Sequence, residues 1–237
     1  MKFLTKILNA IYDDKFSCFS CGGEKLDPNS FLCPSCLKGL HLITYPCQIC
    51  GSQVNSFTNV CEDCRQEKVH HTYDKVIASA TFEDTARTLV YKFKYGKDKS
   101  IAKAIIPFMC DTLSHSSFLP QIDFVLPVPL AKERLKERGF NQSLILAKGI
   151  CDKFNLPLFD KCVLRVRDTV TQTSLNREER IDNLKNAFEF SDKSFVKGKT
   201  ILIVDDLSTS GATMDEISTL LKKNGASCVY GLAFCHA

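Results

Sequence analysis

The chain has 237 residues, 44% hydrophobic and 24% charged, with 31 Lys and Arg against 27 Asp and Glu. That is enough for one large or two small domains with a buried core, and it excludes a disordered polyelectrolyte. No stretch reaches the ~18 apolar residues that a membrane-crossing helix needs, and thirteen cysteines without a signal peptide point to metal ligation or free thiols in a reducing compartment, not to a disulfide framework.

At the start, Phe3, Leu4, Ile7, Leu8 and Ile11 fall on one face of a short helix. Lys6 breaks the apolar run and no small-residue cleavage site follows. The helix is expected to dock on its own domain, or else on a partner or membrane surface.

Eight cysteines then form four Cys-x-x-Cys pairs: Cys18/Cys21, Cys33/Cys36, Cys47/Cys50 and Cys61/Cys64. Two such turns complete a closed tetrahedral shell, so four predict two structural zinc ions, with thiol redox chemistry as the competing use. Sequential pairing puts Cys18, Cys21, Cys33 and Cys36 on one ion and Cys47, Cys50, Cys61 and Cys64 on the other; an interleaved arrangement fits the spacing as well. Residues 1–71 carry seven Lys and Arg and seven Asp and Glu, so the +4 excess lies wholly in the remainder. A zinc-binding region at 1–71, suited to scaffolding and protein contact, is expected ahead of a second domain at 72–237.

From Tyr73 to Phe82 the pattern reads as a strand, and from Glu83 to Lys94 as an amphipathic helix with Phe82, Ala86, Leu89, Val90 and Phe93 on its apolar side. Arg87, Tyr91 and Lys94 share the opposite side, and Lys92, Tyr95 and Lys97 continue the basic, aromatic character. Such a face suits either a single-stranded nucleic-acid track or plain solvation. A second amphipathic helix is expected over Ser100–Leu113. The strand Ile122–Val128 ends in Pro127-Val128-Pro129-Leu130, where prolines remove ladder donors and a shaped loop over 131–142 begins. Arg134 and Arg138, four apart, share one face, to clamp a phosphate group or to pair with Glu133 and Glu137. Next come a helix over Gln142–Phe154 burying Leu144, Ala147, Cys151 and Phe154, a strand over Lys161–Arg165, a polar Thr/Gln-rich cover, a strand near Phe188 and a last strand over Ser227–Cys235.

Between those last two strands lies the most informative stretch, residues 201–213. Ile201 to Val204 read as a central strand buried on both faces. The run stops on Asp205 and Asp206, passes through a hydroxyl-rich loop and resumes with helical spacing at Met214, Ile217, Leu220 and Leu221. Gly211 permits the turn, and the N–H groups of the following helix favour an anion. Thr209, Ser210 and Thr213 add hydroxyls, while paired carboxylates suit ribose hydroxyls or a magnesium-bound sugar. The expected ligand is a phosphorylated ribose. The competing reading is a strand end whose Asp and Ser residues merely cap a helix.

Residues 204–213, Val-Asp-Asp-Leu-Ser-Thr-Ser-Gly-Ala-Thr, resemble the phosphoribosyl-pyrophosphate (PRPP) motif of type I phosphoribosyltransferases. The resemblance implies that Asp205 and Asp206 hold the ribose hydroxyls and that Thr209, Ser210, Gly211, Ala212 and Thr213 wrap the 5′-phosphate. Pro127-Val128-Pro129-Leu130, Arg134 and Arg138-Gly139-Phe140-Asn141-Gln142 resemble the pyrophosphate-side loop of the ComF/GntX group, known for natural competence and DNA uptake. Tyr91 to Gly96 resembles its Lys-Tyr-Gly segment. Leu164-Arg165, Thr169, Gln172, Leu175, Arg180, Asn183-Leu184 and Ala187-Phe188 resemble its hood, and four zinc pairs are typical of its N-terminus. The likeness implies an α/β type I phosphoribosyltransferase fold, a mostly parallel sheet with helices on both faces, behind a double zinc ribbon. It further implies PRPP with magnesium, single-stranded DNA as a partner, and a cytoplasmic place that can extend to the inner face of the membrane. The alternatives are a transferase that moves ribose 5-phosphate to a nucleobase or other acceptor, and an adaptor whose zinc region docks a competence helicase or uptake-channel protein.

Overall fold

The computed structural model describes residues 17–25, 27, 29–66, 71–167, 186–191 and 195–237. The expected N-terminal helix and the hood positions Thr169, Gln172, Leu175, Arg180, Asn183 and Leu184 lie outside the described residues.

Two short helices, α1 (Pro34–Lys38) and α2 (Glu62–Arg65), each follow a cysteine pair's first member in the N-terminal region. The rest runs β1 (Lys75–Thr81), α3 (Asp84–Tyr95), α4 (Ala102–Ser114), β2 (Phe124–Pro127), α5 (Lys132–Arg138), α6 (Gln142–Phe154), β3 (Val163–Arg165), β4 (Phe188–Phe190), β5 (Thr200–Ser208), α7 (Ala212–Lys223) and β6 (Cys228–His236). Among the described residues four strands form one sheet in the order β1-β6-β5-β2, every neighbouring pair parallel. β5 is thus central, as its unbroken apolar run requires.

Alternation along β5 divides the interior in two. Leu202 and Val204 face a core with Leu89 and Phe93 of α3, Ile105 and Met109 of α4, and Leu146 and Ile150 of α6. Ile201 and Ile203 face the other core, with Met214, Ile217 and Leu221 of α7 and Phe188. Helices therefore cover both faces of a parallel sheet, the α/β arrangement expected.

Three local expectations, at the end of β5, in the segment 131–142 and along α6, are corrected. β5 does not stop at Asp205 but continues to Ser208, because β6 is long enough to pair with it through Leu207↔Cys235 and Ser208↔His236. The segment after Pro129 is not all loop: Lys-Glu-Arg-Leu-Lys-Glu-Arg is built of good helix formers and makes α5, ended by Gly139 in the left-handed region at φ 80°. β3 and β4 pair antiparallel with each other, apart from the main sheet. In α6, Leu146 and Ile150 join Ala147 and Cys151 as its buried apolar side chains, with Leu144 and Phe154 half-buried.

The cysteine-rich region covers the β1 edge of the sheet. Ile43 N–H donates to Ser79 O at 3.0 Å, Thr81 N–H to His41 O at 2.9 Å and Val76 N–H to Ile49 O at 2.8 Å. Gly51, at φ +77°, lies so close to β1 that a Cβ there would sit 2.7 Å from Val76 O. Leu32 and Leu40 join the core beneath α3 and α4. An edge that would otherwise expose its N–H and C=O groups is thereby paired.

Candidate functional site: a cavity between the sheet and the second cysteine cluster

The cysteines group sequentially. In Cys18/Cys21/Cys33/Cys36 and in Cys47/Cys50/Cys61/Cys64 the ligand atoms lie within 4.8 Å of one another. Sulfur pairs at 3.9 Å (Cys21, Cys33) and 3.7 Å (Cys50, Cys61) match the edge of about 3.8 Å that tetrahedral Zn–S bonds of ~2.3 Å imply. Backbone N–H groups point at the sulfurs: Cys33 donates to Cys18 and Cys61 to Cys47, each at 3.3 Å. Such donors stabilise thiolate, and with four sulfurs in each shell no position is left open for substrate.

At the carboxyl ends of β5 and β6 lies a cavity of about 660 Å³. Thr209 and Ser210 line it, as do Arg134 and Arg138 of α5, and Tyr91, Lys94 and Tyr95 of α3. Its far wall is the second cysteine cluster, through Cys50, Cys61 and Cys64 with Glu62 and Asp63. Loops at the strand ends carry the ligand-binding positions in sheets of this kind.

Gly211 turns the chain from the loop into α7 at φ +74°, and a Cβ there would lie 2.9 Å from the Tyr73 hydroxyl. Among the described residues no side chain caps α7, whose first turn presents the positive end of the helix dipole next to Thr209 and Ser210, although Gly211, Ala212 and Thr213 are not themselves among the residues lining the cavity. Gly211 is buried, whereas Ala212 and Thr213 are half-buried in the first turn. Tyr73 is stacked on His71 with centroids 4.4 Å apart, and His71 Nδ1 lies 3.9 Å from Asp215 in the same turn.

Asp205 and Asp206 do not lie side by side facing the cavity. As successive strand residues they meet different partners. The Ser143 hydroxyl donates to Asp205 Oδ1 at 2.7 Å, and the Asp206 N–H donates to the same oxygen at 2.9 Å. Asp206 Oδ1 takes the Lys94 ammonium at 3.2 Å, with Lys94 18% and Asp206 6% exposed in their side chains. Burial pushes the Asp205 carboxyl up to about 7; the charge of Asp206 adds to this, and Lys94 and the Ser143 hydroxyl oppose it.

A raised carboxyl pKa means that the folded chain holds this proton more tightly than the unfolded chain does. Stability from Asp205 is therefore greatest when it is protonated and falls as pH rises from about 4 through 7. Asp205→Asn keeps an acceptor oxygen for Ser143 and removes the buried charge. It is expected to stabilise the ligand-free chain by on the order of 2 kcal/mol at pH 8, with the gain vanishing toward pH 4. Thermal melts across that range check it; a variant less stable than wild type at pH 8 contradicts it.

The remaining expected positions divide. Arg134 and Arg138 both reach the cavity; Arg138 donates to Gln142 Oε1 at 3.1 Å and lies 5.6 Å from the Tyr95 ring centroid. Glu133 pairs with Lys136 at 3.5 Å. Pro127 and Val128 are buried supports behind α5: Val128 N–H donates to Val204 O at 3.0 Å, and Val128 O accepts from Asn141 at 3.0 Å. Pro129 is half-buried and, like them, not among the residues lining the cavity. Along α3 the basic face splits. Arg87, Tyr91, Tyr95 and Lys97 are exposed, whereas Lys92 donates to Phe19 O of the first cysteine cluster region at 3.2 Å and Lys94 turns inward to Asp206. Ser143, Tyr73, His71, Glu62 and Asp63 were not anticipated. Ser143 alone left a trace, a polar residue two beyond the Asn141 cap on the buried side of α6.

A family model described as the phosphoribosyl transferase domain matches residues 141–236. The chain is 30% identical over 226 residues to Competence protein F of Haemophilus influenzae, covering 92% of this chain and 96% of that protein. It is 30% identical over 206 residues to Competence protein ComFC of Bacillus subtilis, covering 84% and 81%. To the DNA utilization protein YhgH of Escherichia coli it is 29% identical over 207 residues, covering 86% and 89%. With two N-terminal Cys₄ zinc-binding clusters ahead of a type I phosphoribosyltransferase-like α/β domain, the chain belongs to the ComF/ComFC-like family of competence proteins.

Proposed function

We propose that the chain binds PRPP in this cavity and handles single-stranded DNA during DNA uptake. One observation carries the first half: Thr209 and Ser210, in the hydroxyl loop that leads into α7, and the two arginines Arg134 and Arg138 line a single cavity. A 5′-phosphate on the N–H groups of residues 211–213, near Thr209 and Ser210, leaves a pyrophosphate for Arg134 and Arg138. Zinc would hold each cysteine shell as a structural ion. Magnesium, carried by the donor's own pyrophosphate, would neutralise charge there. Asp206 does not fit as a direct magnesium ligand, since its partner is the Lys94 ammonium.

The DNA half rests on family membership and on Tyr91 and Tyr95, 49% and 52% exposed with ring centroids 5.9 Å apart beside Arg87 and Lys97. Two exposed rings and two exposed cations are the elements of a sequence-tolerant single-strand track. Salt-resolved fluorescence anisotropy on a labelled oligonucleotide tests it. Arg87→Gln with Lys97→Gln should flatten the salt dependence by roughly 0.7 in log–log slope for each phosphate that is no longer neutralised, and Tyr91→Ala should cost about 1–3 kcal/mol without changing the slope. Unaltered binding in both variants would return this face to ordinary solvation. The neighbouring Lys92 is a poorer probe, because its removal also breaks a tie to the first cluster.

Catalytic turnover is a second reading, favoured by the cavity's continuation to Glu62 and Asp63, where a donor bound at the strand ends leaves room for an acceptor. Pyrophosphate release from PRPP against a panel of bases, nucleotides and oligonucleotides decides it. Release with no member of the panel favours PRPP as a bound effector.

A further inference from the structure

Lys94 is placed where the carboxylates would otherwise meet a ligand. It lines the cavity, whereas Asp205 and Asp206 are not among the described residues that line it. Its ammonium lies 3.2 Å from Asp206 Oδ1, and Asp206 Oδ2 is buried with no hydrogen-bond partner among the described residues. The lysine projects from the last turn of α3, held by Phe93 and Val90 in the core, and the Gln142 side chain of α6 donates to Phe93 O at 3.1 Å. The ammonium therefore stands on a braced helix end, not on a free surface arm.

Carboxylates set behind the wall of a site that takes a polyanion need a positive charge between them and it. A divalent cation commonly supplies that charge by bridging carboxylates and phosphates. Here a side chain already occupies the place. We propose that Lys94 is the site's built-in counter-cation, neutralising Asp206 and facing the phosphates of the donor, so that donor binding depends only weakly on magnesium. This rests on the PRPP reading above. Lys94 is then a binding residue of the sugar and pyrophosphate end, and its contribution to any DNA track is correspondingly removed.

Calorimetric titration of PRPP into the zinc-loaded full chain, with magnesium or with a magnesium chelator too weak to strip zinc, tests it together with Lys94→Gln and Lys94→Arg. Wild type should change affinity by less than about threefold between the two conditions, while Lys94→Gln should lose about tenfold or more without magnesium and recover most of it with the metal. Lys94→Arg, which keeps the charge, should resemble wild type, and ligand-free melts of all three establish that they are folded. A wild type that loses binding without magnesium as steeply as Lys94→Gln does, or a Lys94→Gln that keeps metal-free binding, overturns the proposal. A second arm needs no PRPP. Loss of the free Mn²⁺ spin-resonance signal should be seen with Lys94→Gln, whose bare carboxylates can take the ion, and not with wild type; uptake by wild type that Asp206→Asn abolishes overturns the proposal. If no variant binds PRPP yet the manganese arm gives the expected difference, the donor reading fails and the cation position of Lys94 stands.

Discussion

Cys47→Ser or Cys61→Ser is expected to destabilise the sheet as well as the cysteine-rich region. A structural Cys₄ zinc supplies on the order of 10 kcal/mol of folding free energy, and removing one thiolate forfeits much of it. The sequence alone suggests a separable ribbon whose loss spares the second domain. The packing indicates otherwise: Ile43, His41 and Ile49 complete the hydrogen bonding of β1, and Leu32 and Leu40 share a core with Leu89 and Phe93. The second cluster also walls the cavity, so the same change should weaken any ligand bound there. Metal analysis should return two zinc per wild-type chain. Thermal unfolding followed by circular dichroism should show the main transition of either variant falling by many degrees. A ribbon unfolded with that transition unmoved would contradict the account.

Gly211→Val should abolish the PRPP-induced rise in melting temperature. Two costs coincide at this position. Its φ of +74° is strained for any side chain, and a Cβ would press to 2.9 Å from the Tyr73 hydroxyl and 3.4 Å from His71. Together these are expected to cost about 2–4 kcal/mol in the free protein and to shift the N–H groups that would meet a phosphate. Gly198→Ala is the matched control, since Gly198 has φ +73° but nothing within 4 Å of an added Cβ. It should be destabilised by strain alone and still respond to PRPP. Equal responses in wild type and Gly211→Val would place the ligand elsewhere.

Where the sequence was legible, one physical rule applied without competition. The four-residue apolar run of β5 marks a strand buried on both faces, and the helix expected over Gln142–Phe154 is α6 with those bounds. The cysteine spacing fixes the number of clusters, but their sequential pairing depends on how the knuckles fold back, which spacing does not encode. The end of β5 was missed because ladder partners, not apolar residues, decide where a strand stops. Side-chain direction was missed at Lys94 for a related reason. Helical spacing puts it with Arg87 and Tyr91, yet from the last turn of α3 its four-carbon stem reaches a buried carboxylate. The wall of Cys50, Glu62 and Asp63 is a product of tertiary packing between segments far apart in the chain, and no local pattern announces it.

The most direct test of the donor site is a crystal structure of the full chain with PRPP. The 5′-phosphate should lie within hydrogen-bond reach of the N–H groups of residues 211–213, and the pyrophosphate against Arg134 and Arg138, with Lys94 between the donor and Asp206. PRPP bound outside this cavity, or absent from it at millimolar concentration in crystals whose cavity is open to solvent, would contradict the account.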